Sequence, residues 1–180
     1  MSGEEILKIY RDGDRERAFN ELVKSYSERL YWHVRNLVGS HDDTDDLLQD
    51  IFLKIWTALP SFRGDSQLFT WVWRIATNEA INHIKKQRIL NIFSGGTETE
   101  AESLPCGDNT VDGNRAQRLL SVAVSKLPPR QKAVFNMRYF EDMKYEDISE
   151  ILDTSVSSLK ASYHFACEKI KTFLEKNTEG

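Results

Sequence analysis

Apolar residues recur along this chain at steps of three and four, and no alternating stretch is long enough to make a useful strand, so the pattern predicts helices throughout. Ser2 and Glu5 have capping-box spacing for a short first helix that breaks at Asp12-Gly13-Asp14. Phe19, Leu22, Val23, Tyr26, Leu30, Val34 and Leu37 make one stripe of a long helix ending near Gly39. A third helix, about 44 to 59, buries Leu47, Leu48, Ile51, Phe52, Ile55, Trp56 and Leu59 and stops at Pro60. After the turn Ser61-Phe62-Arg63-Gly64-Asp65, Ser66 is the expected N-cap of a fourth helix reaching about Leu90. These elements predict a small helical bundle.

The pattern lapses over residues 92–114, IFSGGTETEAESLPCGDNTVDGN, where no apolar period offsets the entropy of ordering. This stretch is expected to be a flexible acidic linker. Beyond it, helices are predicted near 115–126, 129–140, 145–152 and 156–174, with Ser155 as the N-cap of the last. The final pair turns Ile148, Ile151 and Leu152 toward Val156, Leu159 and Tyr163, a helix-turn-helix pattern that ordinary helical hairpins share. The expected fold is all-α, with two small helical domains at 1–91 and 115–180 joined by the linker at 92–114.

Composition narrows the class. At 180 residues, with 40% hydrophobic and 29% charged residues, the chain suits one ordinary domain or two small ones and is not disordered as a whole. No segment approaches the roughly 18 to 20 apolar residues of a membrane span, and the acidic start MSGEEILKIYRDGDRE does not read as a signal peptide, so a cytoplasmic protein without membrane insertion is expected. Cys106 and Cys167 make neither a disulfide framework nor a CxxC pair. The net charge of −4 is uneven: residues 1–91 hold 13 bases and 14 acids, 92–114 hold five acids and no base, and 115–180 hold 11 bases and nine acids.

Three outward faces carry candidate chemistry. On the third helix Asp46, Gln49, Asp50, Leu53 and Thr57 gather opposite the buried stripe. Leu53 there is either a lone surface leucine or the anchor of a docking surface whose carboxylates meet a basic partner. On the fourth helix Trp71, Arg74, Asn78, Asn82 and Lys85 fall on one side, with Phe69, Val72, Trp73, Ala76, Ala80 and Ile84 on the other. Cations for phosphate, amides for base edges and an aromatic for stacking suit a nucleic-acid strand, although a solvated face has similar residues. The last helix turns Ser157, Ser158, Ala161, His164, Phe165 and Glu168 outward with Lys160 on the flank, and hydroxyls at its N-terminus suit phosphate. His164 and Cys167 do not make a zinc site, and no nucleophile–base constellation or phosphate-cradling glycine loop is present, so neither a cofactor, a metal nor catalysis is expected.

Taken together, DDLLQDIFLKIW (45–56), SFRGDSQLFTWVWRIATNEAINHIKK (61–86), LPPRQKAVFNMRYFEDMKYEDISEIL (127–152) and SVSSLKASYHFACEKI (155–170) resemble the extracytoplasmic-function group of bacterial sigma factors, the initiation subunits of RNA polymerase. The likeness runs from about Ala18 to Arg88 and from about Gln117 to Lys171. It implies that Asp46, Gln49, Asp50 and Leu53 meet core RNA polymerase. It further implies that Phe62, Arg63, Gly64, Asp65, Ser66 and Phe69 form the loop capturing a flipped base of the promoter minus-10 element, with Trp71, Arg74, Asn78, Asn82 and Lys85 alongside. Ser157, Ser158, Lys160, Ala161, His164 and Phe165 would read the minus-35 element. The sequence departs from the family where Ser162, Phe165 and Cys167 replace frequent arginines.

The implied partners are core polymerase, promoter DNA and an anti-sigma factor, soluble or membrane-bound. A chain of net −4 neutralises few phosphates, so weak binding to duplex DNA is expected without the polymerase. The rival readings are a stand-alone helix-turn-helix regulator and a helical signalling enzyme, the latter without a candidate catalytic group.

Overall fold

The structure, a computed structural model, describes residues 1–95 and 111–178. Every regular element among them is helical: α1 (Gly3–Arg11), α2 (Arg15–Val38), α3 (His41–Ala58), α4 (Leu68–Ser94), α5 (Val111–Ser125), α6 (Pro129–Phe135), α7 (Tyr145–Leu152) and α8 (Val156–Thr178). The capping box forms as expected, with Glu5 N–H donating to Ser2 Oγ at 3.3 Å and Ser2 N–H to Glu5 Oε2 at 2.7 Å. Gly39 ends α2 at φ +84°, a left-handed conformation that glycine adopts without a steric penalty. Helix α3 starts earlier than the apolar pattern implies because Ser40, with its Oγ accepting from Asp43 N–H at 3.3 Å, caps three polar residues upstream of Thr44.

Further boundaries differ from expectation. Gln67, not Ser66, is the N-cap of α4, without a side-chain cap bond. Helix α4 continues through Ser94 and α5 begins at Val111, so helix takes residues 92–94 and 111–114 from the stretch expected to be linker, while its acidic part, 96–110, lies outside the described residues. The predicted single helix at 129–140 is interrupted: Asn136–Phe140 forms a π-helical turn in which Glu141 N–H donates to Asn136 O at 3.1 Å. The wider turn is stabilised from outside, because Asn136 Nδ2 donates to the Asn36 carbonyl of α2 at 2.8 Å.

Helices α1 to α4 enclose Ile6, Leu22, Leu30, Leu37, Ile51, Ile55 and Trp73, all essentially solvent-free. Full burial of one such aliphatic side chain contributes about 1.5 to 3 kcal/mol. The same apolar core continues into Ala133, Val134, Met137, Ile148 and Ile151 of the C-terminal half, and a smaller one joins Leu127, Phe135, Ala166 and Ile170. The two halves therefore pack against each other, mainly α4 against α6 and α7. Sequence periodicity had implied modules connected only by the tether.

Candidate functional site

On α3, Asp46, Gln49, Asp50 and Leu53 all face solvent, and Leu53 is 65% exposed. The stripe beneath them, Leu47, Ile51 and Ile55, fixes this orientation by its burial. Lys54 Nζ lies 2.5 Å from Glu79 Oε1 and ties the outer edge of α3 to α4. Between the helices an open groove of about 520 Å³ runs from Leu53 and Thr57 past Ile75 to Asn78. The groove thus links Leu53 of α3 to Asn78 of α4.

The turn before α4 holds Arg63, Gly64 and Asp65 in solvent, and Gly64 sits at φ +80°, where an L side chain is strained. Phe62 packs against Trp71, ring centroids 5.1 Å apart, and both are half-buried. Ser66 is half-buried beside them in sequence. Phe69 is half-buried, its ring stacked on buried Trp73 at 4.1 Å beneath the guanidinium of exposed Arg29. Farther along α4, Asn78, Asn82 and Lys85 are exposed on one line. Arg74, on the same line, is half-buried, and its Nε and Nη2 donate to the Glu150 carbonyl of α7 at 3.2 and 2.7 Å.

Helix α7 ends at Asp153, φ +50°, and Ser155 caps α8 by accepting from Ser158 N–H at 3.3 Å. Arg130 of α6 steadies this turn, donating to Leu152 O at 3.0 Å and Thr154 Oγ1 at 2.9 Å. Ser157, Ser158, Lys160, Ala161, His164 and Phe165 all emerge on the outer side of α8. Phe165 is 56% exposed, and the Lys160 ammonium lies 5.8 Å from the Tyr145 ring centroid. Behind this face, burial and then neighbouring Cys167 push the Tyr163 hydroxyl up to about 12, so it stays neutral at physiological pH. Among the described residues no cluster of His, Cys, Asp or Glu is arranged to hold a metal. No described helix is long and apolar enough to cross a membrane.

Sequence reasoning missed Glu141. Its carboxylate bridges the halves, accepting from Trp73 Nε1–H at 3.1 Å and from His33 Nδ1, while His33 Nε2 lies 2.8 Å from Thr77 Oγ1. It also missed Lys132, which is almost fully buried beside Arg88; burial first, and that cation second, lower its ammonium to about 8. Neither residue carries a local signal, since each depends on a partner far away in sequence.

Residues 22–89 match the Sigma-70 region 2 family and residues 117–170 the Sigma-70, region 4 family. The chain is similar to the ECF RNA polymerase sigma-E factor of Haemophilus influenzae, 27% identical over 97% of this chain and 96% of that one. Its counterpart in Escherichia coli is 28% identical over 94% and 93%. Among solved structures, the fold resembles the sigma factor RpoE in complex with the anti-sigma factor NepR from Bartonella quintana, with a TM-score of 0.68, 22% identity, and coverage of 88% of this chain and 98% of that one. It also resembles CnrH in complex with the cytosolic domain of CnrY, with a TM-score of 0.63, 20% identity and 90% of each chain covered. Two region matches in family order, with relatives aligned over nearly their whole length, identify the group: the chain belongs to the extracytoplasmic-function sigma factors of the sigma-70 class, non-enzymatic proteins that direct promoter-specific transcription initiation.

Proposed function

We propose that the chain docks on core RNA polymerase through Asp46, Gln49, Asp50 and Leu53 and engages promoter DNA with two separate faces. The loop from Phe62 to Ser66, with Trp71, Arg74, Asn78, Asn82 and Lys85, captures and holds the minus-10 strand. The α7–α8 pair acts as a helix-turn-helix, reading minus-35 with Ser157, Ser158, Lys160, Ala161, His164 and Phe165. Residues 1–91 and 115–180 act as the two domains and the acidic stretch between them as their tether, in a protein that works in the cytoplasm. The observation that carries this reading is the outward exposure of Asp46, Gln49, Asp50 and Leu53 on α3, of Asn78, Asn82 and Lys85 on α4 and of the α8 face, on helices whose opposite sides are buried and within matched family regions. Capture of an unstacked base offsets a melting cost of a few kcal/mol without covalent chemistry. An anti-sigma partner is supported by the solved structure of the sigma factor RpoE in complex with the anti-sigma factor NepR.

Run-off transcription from genomic fragments with added core polymerase tests the whole reading, and co-purification with core separates it from a stand-alone regulator. Leu53→Asp weakens core binding by roughly 1 to 3 kcal/mol, as expected for an interface anchor, without loss of helicity. Unchanged affinity in a titration would exclude Leu53 from the interface.

At the other end, Phe165→Ala relaxes preference at one minus-35 base pair, worth about 1 to 3 kcal/mol, with little change in salt dependence. Lys160→Ala flattens the salt slope instead. A promoter-variant library transcribed by both variants distinguishes them, and a uniform fall in output with Phe165→Ala would make its ring structural.

A further inference from the structure

Positive charge gathers where α4 ends against the turn between α5 and α6. In a chain of net charge −4, residues 80–95 hold three lysines and arginines, residues 113–140 hold six, and neither stretch holds an Asp or Glu. The two stretches meet at Arg88, whose Nη2 donates to Ser125 O at 3.1 Å and Leu127 O at 2.8 Å, with exposed Lys126 between the accepting residues. Beyond that anchor α4 runs on into solvent. Ile89 is 54% exposed, Leu90 50%, Ile92 78% and Phe93 85%, so four large apolar side chains within five positions face water together.

We propose that this tip of α4 seats in the interface of a membrane leaflet carrying anionic lipids, with Lys85 and Lys86 on the headgroup phosphates, as a peripheral and reversible attachment. At about 100° per residue the four apolar side chains share one arc of roughly 160°, and exposed Lys85 and Lys86 fall within it. Seven residues separate Lys85 from Ile92 and Lys86 from Phe93, so at about 1.5 Å each the ammonium groups start about 10 Å behind the tip. An interfacial helix buries apolar side chains about 5 to 10 Å deep, which leaves those lysines at the level of the phosphates. A nucleic-acid strand would satisfy the lysines and stack on Phe93, but would leave Ile89, Leu90 and Ile92 in water, whereas hydrocarbon takes all four. The tip projects from the molecule, so a protein partner would need a preformed pocket for it and a fluid bilayer needs none. Acids resume at Glu98, and their repulsion from an anionic surface keeps the attachment weak enough to reverse.

The test floats the full chain with vesicles of phosphatidylcholine alone or of phosphatidylcholine mixed with phosphatidylglycerol. The chain partitions onto the mixed vesicles at least about tenfold more strongly, and salt releases it. Lys85→Gln with Lys86→Gln lowers that partitioning about thirtyfold, roughly a factor of five for each lysine at an anionic surface. Ile92→Ser with Phe93→Ser lowers it at least about tenfold at unchanged charge. All four positions are exposed, so thermal melts stay those of the wild type. Insertion is read from an environment-sensitive fluorophore on Phe93→Cys, with Cys106→Ser and Cys167→Ser: its emission shifts to the blue on mixed vesicles. The same label on exposed Lys24→Cys, close to where Tyr26 meets Phe69 at the opposite end of α4, does not shift.

Equal partitioning onto the two kinds of vesicle, full partitioning by the lysine pair, or an unshifted label on Phe93→Cys would each overturn the attachment. Two further measurements identify a different occupant. Loss of binding to a fluorescent single-stranded oligonucleotide pool in both double variants, with no vesicle binding by the wild type, would assign the tip to nucleic acid. An oligomer in sedimentation equilibrium that Ile92→Ser with Phe93→Ser dissolves would make the tip a contact between copies of this chain, and either result overturns the membrane assignment.

Discussion

At pH 7, Lys132→Met stabilises the chain against unfolding by roughly 3 kcal/mol, the equivalent of moving an ammonium from its ordinary range to about 8. The residue retains only 6% of its accessible surface. Its charge is held there without a carboxylate and against Arg88, so folding costs free energy whenever the side chain is protonated. A thioether of similar length fills the space without that cost. The pH dependence has a definite sign. Between pH 8 and about 10.5 the unfolded chain keeps the proton and the folded one does not, so this residue makes stability rise with pH across that window and then level off. Denaturant titrations of wild type and Lys132→Met from pH 7 to 10.5 should show the difference between the curves narrowing as pH rises. A constant difference would mean that the ammonium reaches solvent.

Trp73→Ala has the opposite and larger effect, a loss of about 3 to 5 kcal/mol. The indole has no solvent exposure, stacks on Phe69 at 4.1 Å and meets Tyr26 edge-on at 5.9 Å. Its removal opens a cavity between α2 and α4 and leaves one oxygen of Glu141 without its donor. Trp73→Phe separates these contributions: it keeps most of the packing and loses the N–H, and it should cost about 1 to 2 kcal/mol. Trp71→Ala, at a half-buried position on the neighbouring face, should cost clearly less than Trp73→Ala. Thermal melts of the three variants give this order, and equal losses for both tryptophans would show that Trp71 is part of the core.

The helices and their outer faces were legible because burial repeats with the helical period. Leu53 among acids, and Asn78, Asn82 and Lys85 in line, are arrangements that approximately 100° per residue produces without help from elsewhere. The turn at Ser155 was legible for the same reason, since a hydroxyl three residues before Ser158 is a local signal. The junction between the halves was not. Glu141 and His33 are 108 residues apart and Arg74 and Glu150 are 76 apart, and nothing in the neighbourhood of either residue of a pair announces the other. Lys132 reads as a surface lysine on a short helix until α4 covers it. Phe69 falls both in the loop that the family motif implies and, by its position on the helix, on the inner side of α4, where it packs with Tyr26 and Trp73.

The π turn at Asn136–Phe140 makes the contact of Glu141 with His33 and Trp73 a matter of phase. An α-helix with the same end points would be one residue shorter, and every position beyond a deletion in this turn would rotate by about 100°. Tyr139 and Phe140 now point outward while Asn136 and Met137 point in, and Glu141 arrives at His33 because of the added residue. Removing Tyr139 would carry Glu141 off that bearing without altering a single atom of its side chain. The packing of the halves is consequently sensitive to insertions and deletions in a way that substitution scans would miss, and two relatives that both carry Glu141, His33 and Trp73 but differ by one residue in this turn would not share the contact.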